Sequence, residues 1–155
     1  MTIKQKFVDE ARSWIGTKFH HQGRLKKSAR HDGGCDCIGL IVGCMRDLKI
    51  PSKIVVNGEN KLLCDFDQGG YAKIPDGEML FKALKNCMDE VDLGSAKIGD
   101  IALFKFEHMP QHVAIISDYD EQNLGLIHCY MQSGRVIEHM FDDGWKDRLV
   151  NVFRF

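Results

Sequence analysis

Apolar residues at Ile3, Phe7, Ala11, Trp14 and Ile15 recur every three or four positions, which predicts an amphipathic helix over 3–14, ended by Gly16. Residues 16–34 are polar, basic and bounded by glycines, and read as a loop. From Asp36 the run CIGLIVGCMRDLKI is dense in apolar and small residues, carries its cations late and is halted by Pro51, so it predicts a mostly buried helix. Gly39 and Gly43 stand four apart on it. Each costs about 1 kcal/mol against alanine in a helix interior, so close packing against a flat partner, the sheet, is the expected compensation. Residues 52–74 show no period and read as irregular. Pro75, Asp76, Gly77 and Glu78 then lead into another helix, with Asp76 as a cap and a stripe of Met79, Leu80, Ala83, Leu84 and Cys87.

The period changes at Ile98. IGDIALFKF, HVAIISDY, LGLIHCY, GRVIEHMF and RLVNVFRF are short apolar or alternating runs divided by Asp, Asn and Gly, which predicts about five antiparallel strands. Helices first and strands after give an α+β domain, with N-terminal helices packed on a C-terminal sheet. No repeat, low-complexity stretch or linker divides the chain, so 1–155 reads as a single domain.

Composition adds mainly exclusions. With 44% apolar and 28% charged residues the chain has an ordinary soluble composition. Lys+Arg 21 against Asp+Glu 22 gives no bulk field for nucleic acid or anionic lipid. The basic run from Arg24 to His31 is the local exception, either a solvated loop or a contact for an anionic substrate or polymer. The N-terminus carries charges where a secretory signal needs an apolar stretch, and nothing approaches a membrane span. Cytoplasmic synthesis is therefore expected, with virion association or a non-classical export route as ways out of the cell. The 6 cysteines are then expected to be reduced thiols.

GGCDCIGL places Cys35 and Cys37 one residue apart. Structural zinc usually takes two closely spaced ligand pairs, whereas Cys44, Cys64, Cys87 and Cys129 are scattered; redox pairs are typically C-x-x-C. A third reading is a single reactive thiol. Cys37 sits in the predicted first helical turn, where the helix dipole and unpaired amides favour thiolate and offer donors to an oxyanion, while Cys35 lies in the glycine turn as a bystander. A thiol nucleophile needs a base, and the base an orienting partner. His112 opens one predicted strand and His128 lies late in the next, so an antiparallel pairing brings the two rings together. Against this, a single histidine at a strand end is commonly a satisfied surface residue. Trp14, Cys129 and Tyr130 read as packing.

The ordered segments ARSWIGTKFHHQGR, DCIGL, PDGEML, IGDIALFKF, QHVAII, LIHCY, GRVIEH and WKDRLVNVFRF resemble the NlpC/P60 family of papain-like cysteine peptidases, especially its phage-associated branch. The resemblance implies Cys37 as nucleophile, His112 as general base and His128 as the polar residue that orients the base. It implies substrate contacts at Asp36, Phe19 and His21, and no metal or cofactor. The implied substrates are peptidoglycan stem peptides, cut next to D-γ-glutamyl and diaminopimelate residues, and the implied partners are phage tail or other delivery-system proteins. The chain departs from the family in having Phe19 where many members have tyrosine and Ile38 where many have serine. A non-catalytic module of the same fold and a papain-like amidase or acyltransferase on another substrate are the competing readings.

Overall fold

The helix α1 (Ile3–Ser13) starts at Thr2, whose hydroxyl accepts from the Gln5 amide, and buries Phe7, Val8 and Ala11. The computed structural model to which it belongs describes residues 1–73, 76–107 and 109–155, without burial or side-chain detail at 77, 109 and 110. The loop after α1 contains two short strands, β1 (Arg24–Leu25) and β2 (Gly34–Cys35), paired antiparallel. Cys35 therefore lies on a strand, fully buried in the core, and not in an open turn.

The second helix, α2 (Cys37–Asp47), begins where the sequence indicates: Asp36 is extended and its carboxylate accepts from the Gly39 amide. Residues 52–74 depart from the irregular reading. They hold most of the hairpin β3 (Pro51–Val56) and β4 (Glu59–Leu62), followed by a 3-10 turn over Leu63–Phe66. The hairpin turns on Asn57 and Gly58, both with positive φ (51° and 78°), as a two-residue turn requires. The helix α3 (Gly77–Cys87) has Asp76 as its cap, accepting from Glu78; Pro75, part of the predicted lead-in, lies outside the described residues.

Then come β5 (Asp89–Val91), β6 (Ile101–Phe106), β7 (Met109–Asp118), β8 (Leu124–Cys129), β9 (Val136–Met140), a short helix α4 (Asp143–Lys146) and β10 (Leu149–Arg154). The main sheet is six-stranded and antiparallel, in the order β5-β10-β6-β7-β8-β9. Five of its strands are the predicted ones; β5, three residues at the edge, is too short to carry a readable alternation. The architecture is α+β.

Alternation divides the sheet between two cores. One face sends Leu103, Val113, Ile115, Ile127 and Cys129 against α1, α2 and α3. The opposite face sends Phe104, Ala114, Ile116 and Leu126 against Phe141 and Trp145. Glu138 on β9 accepts from Arg12 Nη2 at 2.8 Å and from Ser117 Oγ at 2.7 Å, which ties β9 to α1 and β7.

The two helix glycines do permit close approach, but not to the sheet. A Cβ at Gly43 would stand 2.2 Å from the Trp14 indole, and one at Gly39 would stand 1.9 Å from the Gly23 carbonyl oxygen. The flat partner is thus an indole on one turn and loop backbone on the other. Gly39→Ala gains helix propensity but must displace a backbone carbonyl, so a net loss of about 2 kcal/mol is expected. Differential scanning calorimetry should show Tm lowered by roughly 4–8 °C; an unchanged or raised Tm would disprove the tight fit.

Candidate active site

The buried helix delivers Cys37 to the rim of the main sheet. The ladder between β7 and β8 runs from Asp118↔Leu124 only as far as Ile115↔Ile127. Past that end the strands enclose a cavity of about 210 Å³ whose wall includes Cys37, His112, Cys129 and Tyr130. The backbone amides of Val113, the residue after His112, and of Ile38 lie close enough to the Cys37 sulfur to favour its ionised form. The nucleophile candidate therefore abuts the strand that carries the candidate base.

Burial sets the electrostatics here. It pushes the Cys37 thiol up to about 12, the negative charge of Asp36 adds to this, and the two amides only partly oppose it. The thiolate expected from the helix dipole is not the resting form; desolvation outweighs the dipole, and the sulfur holds its proton. His112, 3% exposed, is lowered to about 3, first by burial and then by the neighbouring His139. His128, with no exposure, is lowered as well, again first by burial and then by His112 and His139. Thiol and imidazoles are all neutral at pH 7.

His112 Nε2 lies 2.6 Å from His128 Nδ1, so the two rings that the antiparallel pairing was expected to unite are hydrogen-bonded. His128 is fixed on its faces as well: Tyr130 stacks on it at 4.9 Å and 15°, and Trp145 meets it edge-on at 4.8 Å. Trp145 is held by α4, whose cap Asp142 accepts from its amide at 3.1 Å. Tyr130 and Cys129 do pack, as the sequence indicates, but they also line the cavity. Trp14 packs in the core behind α2.

The three residues expected at the substrate differ in what they offer. Phe19 lines the cavity and presents no hydroxyl. His21 lines it too, its Nε2–H donating to the Tyr71 carbonyl at 3.0 Å. Asp36 is 4% exposed and both its oxygens are engaged: Oδ1 accepts from the Gly39 amide (2.8 Å) and Arg24 Nη1 (3.3 Å), Oδ2 from the Gln22 amide (2.8 Å) and the Tyr71 hydroxyl (2.6 Å). The carboxylate thus joins loop, helix cap and Tyr71 into one wall.

Tyr71 was not legible in the sequence. It stands in the stretch without period, yet it supplies the hydroxyl nearest Asp36, and burial followed by the Asp36 hydrogen bond pushes its pKa up so that it stays a donor. Part of the basic run is turned to structure: Arg24 also pairs with Asp67 through two bonds of 3.0 Å, and Lys26 pairs with Glu10 at 2.9 Å, while Lys27, Arg30 and His31 are exposed. His139, which the sequence reading does not include, continues the histidine pair, with its Nε2 2.7 Å from His128 Nε2. The alternation in GRVIEHMF is the signal that places it on the His128 face.

All six cysteines are free thiols, and Cys129 Sγ donates to the Cys35 carbonyl at 3.3 Å. Among the described residues no group of three His, Cys, Asp or Glu is placed to hold a metal ion, and no helix is long and apolar enough to cross a membrane. Chemically, the arrangement offers a sulfur, a neutral imidazole and helix-start amides around one cavity: the parts needed for nucleophilic attack on a carbonyl.

The family model NlpC/P60 matches residues 16–154. No curated protein sequence matches. Among solved structures, the NlpC/P60 domain of the peptidoglycan hydrolase SagA superposes with a TM-score of 0.60 at 18% identity, over 99% of this chain and 100% of that one. An NlpC/P60 family protein from Bacillus cereus gives 0.64 at 16% identity, over 99% of this chain but only 40% of that one. The peptidoglycan hydrolase RipB from Mycobacterium tuberculosis gives 0.57 at 16% identity, over 97% of this chain and 63% of that one. These likenesses are of fold.

Proposed function

The chain belongs to the NlpC/P60 family, and from that premise we propose that it is a cell-wall hydrolase, a cysteine peptidase that cuts an amide bond in peptidoglycan stem peptides. The observation that carries the reading is the sharing of one cavity wall by Cys37 and His112, with His112 Nε2 engaged by His128. The solved relatives that are named peptidoglycan hydrolases support the substrate class. The finer assignment, to bonds next to D-γ-glutamyl and diaminopimelate residues, follows the family resemblance.

In this proposal the Cys37 thiol gives its proton to His112 as the sulfur attacks the amide carbonyl. The resting pair is neutral, so proton transfer accompanies bond formation and is not completed beforehand. The Cys37 amide, in the first turn of α2, stabilises the developing oxyanion. His112 then protonates the departing amine, leaving a thioester on Cys37, and next draws a proton from water to hydrolyse it. His128 keeps the base in place, and the scheme needs no metal or cofactor. Access to the cell wall through a phage tail or another delivery assembly is part of the proposal.

Purified muropeptides incubated with the protein at neutral pH and analysed by mass spectrometry test the reading. New fragments with free amino and carboxyl ends at one stem-peptide bond are expected. Intact muropeptides after prolonged incubation with folded protein would refute it. Phe19 favours one alternative, a non-catalytic cell-wall module, since the cavity lacks the hydroxyl that many members carry there; that module binds muropeptides and cuts none.

A further inference from the structure

His128 lies opposite Ile137 in the β8–β9 ladder, and His139 is two residues farther along β9. The two histidines are therefore diagonal neighbours on one face of the sheet. Next beyond the last β7–β8 pair, Ile115↔Ile127, come Ala114 on one strand and His128 on the other, and His112 lies two residues past Ala114. Three histidines thus form a diagonal row across β7, β8 and β9, joined at 2.6 and 2.7 Å. The row ends on a group of fixed polarity: His139 Nδ1 is 2.8 Å from the Met140 carbonyl oxygen.

A carbonyl oxygen only accepts, so His139 carries its proton on Nδ1. With that one proton on the ring, His139 has its lone pair on Nε2, and the 2.7 Å contact then has His128 donating from its own Nε2. That leaves the His128 lone pair on Nδ1, so His112 donates from Nε2 across 2.6 Å. With one proton per ring, His112 Nδ1 is bare. The reverse arrangement would set the His139 Nδ1 lone pair against the carbonyl oxygen, two acceptors in contact.

We propose that His139 is a positioning residue of the active site, acting through His128 to hold His112 in the tautomer whose Nδ1 lone pair receives the Cys37 proton. The inference rests on the proposed reading of His112 as the base. When Cys37 attacks, its S–H bond breaks and a sulfur electron pair bonds to the carbonyl carbon. Nδ1 gains the proton, and the resulting imidazolium keeps its Nε2–H on His128. No proton travels along the row. Its work is done before the substrate arrives, by excluding the tautomer that would present N–H to the thiol.

The test reads the tautomer directly. In 15N-histidine-labelled protein, long-range proton–nitrogen correlation at neutral pH should show His112 and His128 with a protonated Nε2 and an unprotonated Nδ1, assigned through His112→Gln and His128→Gln. The opposite tautomer at His112 in the wild type overturns the proposal with no variant of His139 needed. His139→Phe, which keeps a ring but no acceptor, should convert the single tautomer at His112 to a mixture. It should also slow iodoacetamide alkylation of Cys37 and lower kcat by roughly 10- to 100-fold with KM unchanged. His139→Gln, which restores an acceptor oxygen, should recover most of both. An unaltered His112 tautomer and Cys37 alkylation rate in folded His139→Phe overturns it. The spectra and alkylation need no muropeptide: if the wild type shows the fixed tautomer and cleaves nothing, the positioning by His139 stands and the hydrolase reading falls.

Discussion

Cys37→Ala should lower muropeptide turnover by about a thousandfold or more, equivalent to at least ~4 kcal/mol of lost transition-state stabilisation. The size follows from covalent chemistry: without sulfur no thioester forms, and only the residual help of oriented amides and binding is left. The fold should be spared. Cys37 is the first residue of α2, its surroundings already admit the larger thiol, and alanine is the best helix former. Muropeptide binding followed by fluorescence anisotropy should therefore persist in the variant while product formation, followed by chromatography, disappears. Turnover within tenfold of the wild type would remove Cys37 from the role of nucleophile.

Acid should destabilise the protein well above the pH at which its carboxylates are protonated. His112 is held neutral, its pKa lowered from 6.5 to about 3 by burial and by His139. Between those two values the unfolded chain binds a proton that the native chain refuses, so stability is complete above pH 6.5 and declines as pH falls toward 3. At pH 4.5 the loss from one such group is about 2–3 kcal/mol, and His128, lowered in the same direction, adds to it. Urea titrations at pH 7.5 and 4.5 should show a clear fall in midpoint. The double variant His112→Gln/His128→Gln should show a much smaller fall. An equal pH response in the two proteins would assign the acid sensitivity elsewhere.

The features that could be read in advance were those fixed by local chemistry. Asp36 ahead of an apolar run marks the start of α2 and places Cys37 in its first turn, since a cap needs only the next few amides. His112 and His128 could be paired because antiparallel geometry joins the end of one strand to the start of the next. The hairpin at Asn57–Gly58 carried a turn signal too, but its strands have mostly exposed residues and so no apolar alternation. Tyr71, 35 residues from the carboxylate it contacts, was beyond any local pattern. The charge state of Cys37 departs from the sequence expectation for a related reason. A helix dipole can be inferred from a few residues, whereas the desolvation that overrides it depends on how three elements close around the sulfur.

That closure also bears on durability. Peroxide and related oxidants react with thiolates, and over-oxidation beyond the sulfenic state is irreversible. Because the partly buried Cys37 rests as a protonated thiol, it is a poor target for this chemistry until, in the proposed mechanism, His112 takes the proton as the sulfur attacks. A protonated resting thiol is thus expected to be oxidised by peroxide more slowly than a permanently ionised cysteine would be.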